Sequence, residues 1–161
     1  MKTIGVDIGG TKTAIGIIDY KTGKISKKLI FPSKSFKNDT KNLNLIIEKA
    51  LALSNANKIT NIGIGVPELI NNKGVIKGNY NFNWNNINLT KYFPQNIKVL
   101  VDSDVRCHLR AEKFFGVAKN YKNFAYINIG TGLSYAQFKE NNIYSGANGC
   151  AIHFASTKIS L

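Results

Sequence analysis

Ile4-Gly5-Val6-Asp7-Ile8-Gly9-Gly10-Thr11-Lys12, continuing as Thr13-Ala14-Ile15-Gly16-Ile17-Ile18-Asp19, is the stretch whose reading decides the fold. Two apolar runs flank a turn of two glycines, a hydroxyl and a lysine, close enough to pair as a β-hairpin. Glycine permits positive φ and lets another group approach the backbone. Thr11 and Lys12 add a hydroxyl and an ammonium beside free backbone N–H groups, a combination that suits a phosphate. Asp7, at the end of its strand, suits a hydrated Mg²⁺ that travels with that phosphate. A plain Gly-rich hairpin with a solvated lysine accounts for the same residues. The stretch matches neither G-x-x-x-x-G-K-[ST] nor G-x-G-x-x-G.

The rest of the 161-residue chain decides between these readings. Its length allows one ordinary domain or two small lobes. With 43% hydrophobic and 19% charged residues it can bury a core. The net charge of +13 comes almost wholly from lysines scattered along the chain, Arg106 and Arg110 being the arginines. Scattered lysine lacks the bidentate forks of base and phosphate readout, so a solvated basic surface is favoured over nucleic-acid recognition. Acidic substrates such as nucleotides still gain from that field. Cys107 and Cys150 have neither CxxC spacing nor nearby histidine ligands, so neither zinc nor a disulfide scaffold is expected. No signal-peptide pattern and no membrane-length apolar run is visible, and a reduced, cytoplasmic protein is the expectation.

Along the chain, Ile25 to Phe31 reads as a third strand after the hairpin, making a meander. Asp39 reads as the N-cap of a helix running through Leu43, Ile46, Ile47, Ala50 and Leu53. Ile59 to Val66 is a buried strand stopped by Pro67, and Gly63 and Gly65 within it suggest close backbone approach. An Asn-rich turn region follows, and Trp84 in it reads as core. A short helical turn is predicted over Leu89 to Phe93, and a strand over Ile97 to Val101. Asp102-Ser103-Asp104 opens a helix that Gly116 ends. Phe124 to Ile129, Gly130-Thr131-Gly132 and Leu133 to Phe138 form a second strand–turn–strand device like the first. Strands and helices in this order predict a mixed α/β layer.

Six motifs in order resemble the ROK family of sugar kinases and sugar-responsive repressors, nearly throughout the chain. Val6-Asp7-Ile8-Gly9-Gly10-Thr11-Lys12 is similar to the family's first phosphate motif. Ile62-Gly63-Ile64-Gly65-Val66-Pro67 resembles the strand entering its sugar loop, and Asn81-Phe82-Asn83-Trp84 its Asn-x-x-Trp stretch. Val101-Asp102-Ser103-Asp104 resembles the segment with the catalytic aspartate. Ile129-Gly130-Thr131-Gly132 resembles the second phosphate motif, and Gly146-Ala147-Asn148-Gly149 the approach to a further sugar-binding segment.

The resemblance implies an actin-like/hexokinase (ribonuclease H-like) ATPase fold, with a first lobe over residues 1–118 and the start of a truncated second over 119–161. It implies ATP-dependent phosphorylation of a hexose with Asp104 as general base. Asp7 would position Mg²⁺ through water. Gly9, Gly10, Thr11, Lys12, Gly130, Thr131 and Gly132 would cradle the phosphates. Gly65, Pro67, Asn81, Ser103, Asp104 and Asn148 would meet the sugar. For Asp104 a helix N-cap, for Asn81 a turn former, and for His108 a packed or solvated histidine are the structural readings beside these.

The chain departs from the family pattern at several positions. Glu68 stands where the family has glycine after the proline, and Ser103 where it has asparagine. Leu133-Ser134-Tyr135 replaces further glycines. His153 and Ser156 stand in for the family's Glu and His. With most of a second lobe missing, association with itself or with a complementary chain is expected. A non-catalytic sugar- or nucleotide-binding module, or one half of a split kinase, is the alternative. A repressor is disfavoured because the first motif begins at Ile4.

Overall fold

Strand β1 (Lys2–Ile8) pairs along both edges, and that double pairing builds the larger sheet. The computed structural model describes residues 2–129, 133–149 and 151. The chain divides into two compact units, residues 1–104 and 105–161.

In the first unit, β1 runs antiparallel to β2 (Lys12–Asp19), which pairs antiparallel with β3 (Ile25–Pro32). On its other edge β1 is parallel to β4 (Asn61–Val66), and β4 is parallel to β5 (Lys98–Ser103). The sheet order is β3-β2-β1-β4-β5, the α/β arrangement the sequence predicts. Alternation along β1 then sorts its residues. Ile4, Val6 and Ile8 are buried with Ile15, Ile17, Ile62, Ile64 and Val66. Helix α1 (Asp39–Ala56) packs on this face and contributes Leu43, Ile46, Ile47 and Ala50 to the same core. Its N-cap is Asn38, whose side chain accepts from Lys41 N–H, and not Asp39, which is the first helical residue. Asparagine caps as well as aspartate, and a one-residue shift at a helix start leaves the apolar periodicity unchanged.

The opposite face carries Gly16, Gly5 and Gly63 side by side in one register row, next to Leu100. A Cβ at Gly5 would collide with Ile18, and one at Gly16 with Ile25, so those glycines accommodate neighbouring side chains. Gly63 differs from expectation. Nothing described lies within 4 Å of where its Cβ would be.

The crossover from β4 to β5 contains no α-helix. Its apolar residues Ile70, Ile76, Phe82, Trp84 and Leu89 are nevertheless buried in the α1-side core. Phe82 and Trp84 stack with centroids 4.1 Å apart and planes 8° from parallel. A single 3₁₀ turn, Leu89–Tyr92, precedes β5. Trp84 is therefore core, 1% exposed, and donates its indole N–H to the Asp39 carbonyl at 3.2 Å. In the β2–β3 turn, Asp19 accepts from Lys21 N–H and Thr22 N–H, and these bonds hold its carboxylate below the usual range. Because the folded pKa is the lower one, that contribution is present above the ordinary carboxylate pKa. It is lost as the pH falls through the lowered value.

The second unit contains most of α2 (Asp104–Phe115), which begins at the last residue of the first unit. A three-stranded antiparallel sheet follows, β6 (Phe124–Ile129), β7 (Leu133–Lys139) and β8 (Asn142–Tyr144). Glu140 and Asn141 take positive φ in the β7–β8 turn. The Gly130-Thr131-Gly132 turn lies outside the described residues. No described helix is long and apolar enough to cross a membrane.

Replacing Ile64 by alanine, in the doubly paired strand β4, should destabilise the chain by about 2–5 kcal/mol in urea unfolding. Leu100→Ser, on the exposed side of the neighbouring strand, should stay within about 0.5 kcal/mol of the wild type.

Candidate functional site

The three parallel strands β1, β4 and β5 end along one edge of the sheet, and the predicted site residues of the first unit leave the sheet there. Open α/β sheets offer their crevices at the carboxyl ends of strands. From β1 comes the Gly9–Lys12 turn, from β4 Pro67 and Glu68, and from β5 Ser103 and Asp104.

The turn after β1 is closed by the Gly9 N–H donating to Lys12 O at 3.0 Å. A Cβ at Gly9 would come within 2.9 Å of that carbonyl oxygen, so the tight turn depends on glycine. Thr11 O accepts from Ser33 N–H at 2.9 Å, and the hydroxyls of Thr13 and Ser33, both buried, share a 2.7 Å hydrogen bond. These contacts tie the turn to the start of the loop after β3. Among the described residues nothing accepts from the backbone N–H of Gly10 or Thr11. Thr11 and Lys12 are exposed. Two open amides, a hydroxyl and an ammonium together can meet phosphate oxygens.

Asp7 is exposed, one residue before the strand ends. It shares a register row with Gly65 and Asp102, the one strand between, β4, placing Asp7 and Asp102 about 10 Å apart at their Cα atoms. The described residues contain no cluster of three or more acidic, His or Cys ligands. A lone exposed carboxylate fits a Mg²⁺ that keeps its waters and takes its other ligands from phosphate oxygens.

Asn81 stands between two of these loops. Its side-chain Nδ2 donates to Pro67 O at 2.8 Å, and a Cβ at Gly10 would come within 2.6 Å of its Oδ1. The amide thus links the β4 exit to the first turn, and Gly10 is glycine because Asn81 occupies the space beside it. One Nδ2 hydrogen remains for another acceptor. The backbone around Asn81 is held from below. Glu68, 1% exposed, accepts from the N–H groups of Tyr80, Asn81 and Phe82, and Asp39 accepts from Asn83 N–H at 2.8 Å.

Ser103 is fully buried and opposite Val66, and its N–H donates to Asp102 Oδ1 at 2.8 Å. Asp104 is half-buried at the first residue of α2, where the helix N-terminus favours a negative charge. The first unit therefore brings together at one edge Asp7, Gly9, Gly10, Thr11, Lys12, Gly65, Pro67, Asn81, Ser103 and Asp104.

In the second unit Asn148 is exposed beside Gly149, whose carbonyl accepts from the buried Arg106 Nη1 at 2.6 Å. His108 is half-buried and tilted against Tyr126, centroids 5.5 Å apart. His153 and Ser156 lie outside the described residues. Sequence reading gives Arg106 no role, Asp39 only that of a helix cap, and Glu68 only a departure from the family's glycine. A carboxylate directly after a strand-ending proline, at the mouth of an Asn-rich loop, was the available signal for Glu68.

The ROK family model matches residues 3–159. The glucokinase of Thermotoga maritima is 28% identical over 153 residues, covering 92% of this chain and 48% of its own. The xylose repressor of Bacillus subtilis is 34% identical over 90 residues, 55% of this chain and 23% of its own. Among solved structures, a ROK family glucokinase from Streptomyces griseus in complex with glucose and AMPPNP superposes with a TM-score of 0.83. It is 26% identical, over 94% of this chain and 48% of that one. The chain spans about half the length of the glucokinases it matches.

Gly10→Ala is expected to cost about 1–3 kcal/mol by driving a methyl group into the Asn81 amide. In an Asn81→Ala background the same change should cost under about 0.5 kcal/mol. A double-mutant cycle by urea unfolding measures the difference, and additive costs would show that the two residues do not touch.

Proposed function

The chain belongs to the ROK family, with the actin-like/hexokinase fold of its sugar kinases, and from that premise we propose that it carries the first half of an ATP-dependent hexose phosphotransfer site. The observation that supports this most is the shared edge. The Gly9–Lys12 turn and Asp104 follow β1 and β5 at one edge of the sheet, and the Asn81 amide is bonded to Pro67 at the exit of β4 between them.

The chemistry follows from these residues. Asp104 accepts the proton of a sugar hydroxyl as that oxygen attacks the γ-phosphorus, and the bond to the β–γ bridging oxygen breaks. Asn81 and the Gly65–Pro67 loop hold the ring so that the attack is in line, whereas Ser103 is fully buried and offers the sugar no surface. The open N–H groups of Gly10 and Thr11, with Gly9 and the Lys12 ammonium, offset phosphate charge. Gly130, Thr131 and Gly132 belong to the same proposal as the second phosphate turn. Asp7 would hold a hydrated Mg²⁺, which when bound neutralises the β- and γ-phosphate oxygens. A first lobe over 1–118 and the start of a second over 119–161 remain part of this reading.

A second reading is a sugar-binding module without turnover. The 34% identity to a xylose repressor over 90 residues favours it, as do Ser103 and Glu68 at positions that resemble the family's sugar contacts. ADP release measured with a panel of hexoses separates the two. Under the kinase reading the wild type turns over at least one hexose, and Asp104→Asn lowers kcat by roughly 10²–10⁴-fold. Sugar-dependent thermal stabilisation without ADP release would favour the module, and turnover indifferent to Asp104→Asn would sink the general-base assignment.

A further inference from the structure

Glu68 is the only acidic side chain among the described residues that is fully buried. Its Oε2 accepts from Tyr80 N–H at 2.9 Å, and its Oε1 from Asn81 N–H at 2.6 Å and Phe82 N–H at 3.1 Å. These bonds come from three consecutive amides of the chain. No hydrogen-bonded cation stands beside the carboxylate among the described residues. A buried charge without a counter-ion is expensive unless its lone pairs are filled by donors, and here charge-assisted bonds from backbone amides fill them. Space is reserved for it as well. A Cβ at Gly78 would come within 2.7 Å of Glu68 Oε2.

The middle one of the three amides belongs to Asn81. Fixing the backbone on both sides of Asn81 fixes the direction in which its side chain leaves the loop. That direction takes Nδ2 to Pro67 O and Oδ1 to Gly10. Stacked Phe82 and Trp84 and the Asp39–Asn83 bond anchor the chain beyond, but neither reaches the amides of Tyr80 or Asn81.

We propose that Glu68 is a positioning residue of the substrate loop, an internal anion seated in a three-amide cradle that sets Asn81 between the β4 exit and the phosphate turn. This rests on the assignment of Asn81 to the sugar made above. Glutamine at this position keeps the two bonds to Oε1 but turns an NH₂ toward Tyr80 N–H. Glycine removes all three bonds and leaves the cradle open to an external carboxylate.

The test uses the whole chain with Glu68→Gln and Glu68→Gly, and amide hydrogen exchange is read at Tyr80, Asn81 and Phe82 by NMR. Glu68→Gly should accelerate exchange at all three by about tenfold or more, the loss expected from charge-assisted bonds. The β1 and β2 amides should stay protected. Acetate, against chloride at matched ionic strength, should restore protection in Glu68→Gly. Glu68→Gln should accelerate Tyr80 most. If Glu68→Gly does not fold, the Tyr80 amide of Glu68→Gln decides. D-Glucose, or whichever hexose stabilises the wild type best, should bind Glu68→Gln about tenfold more weakly, with KM raised more than kcat is lowered if turnover occurs. Unchanged exchange at the three amides, no effect of acetate, or unchanged sugar affinity would overturn the proposal. A wild type that neither binds nor phosphorylates sugar overturns the site reading instead, and the exchange and acetate arms still decide whether Glu68 fills an amide cradle.

Discussion

The in-register pairing of β1 with β2 on one side and β4 on the other is the constraint from which the rest of the first unit follows. A strand paired along both edges cannot slip by one residue without turning Ile4, Val6 and Ile8 out of the core. That fixed register places Asp7 on the face away from α1 and brings the Gly9–Lys12 turn out at the edge where β4 and β5 also end. The chemistry at that edge is thus anchored in the hydrophobic alternation of a seven-residue strand.

Backbone amides recur as the currency of the site. Those of Gly10 and Thr11 are left open at the turn, while those of Tyr80, Asn81 and Phe82 are closed by Glu68. The same donor serves two ends. Where it is open it can meet an exogenous anion, and where it is closed by an internal one it stiffens a loop. Asn81 lies between the two sets and touches both sides, through Pro67 O and the space beside Gly10.

Much of this was legible in the sequence. The hairpin, the meander, α1, the strand before Pro67 and α2 were all marked by periodicity and by glycine or proline punctuation, signals that act over a few residues. The cap is Asn38 and not Asp39, a difference of one residue that composition does not decide because both are good caps, and only the bond to Lys41 N–H distinguishes them. The Asn-rich crossover reads as turns around Trp84 because it has no period, yet besides that tryptophan it buries Ile70, Ile76 and Phe82. Those burials depend on partners tens of residues distant. The anchoring by Glu68 and Asp39 was hidden for the same reason. A carboxylate that serves backbone N–H groups leaves no mark on the identity of the residues it serves, and Asn83 is held by an acid 44 positions earlier. Glycine at 63, read as a sign of close approach, has open space instead.

The mixture of antiparallel and parallel neighbours around β1 has a consequence for the order in which the chain assembles. The β1–β2–β3 meander closes only short loops, whereas β1–β4 and β4–β5 join segments separated by a helix or by a long irregular crossover. Loop-closure entropy makes such distant pairings slow. The turn built from Gly9 and Gly10 should therefore be shaped early, and the strand that delivers Asp104 should dock late. In pulse-labelling during refolding, protection would appear in β2 before β5; simultaneous protection would contradict this order. The two ends of the proposed reaction, the phosphate turn and the base, would then belong to different stages of folding.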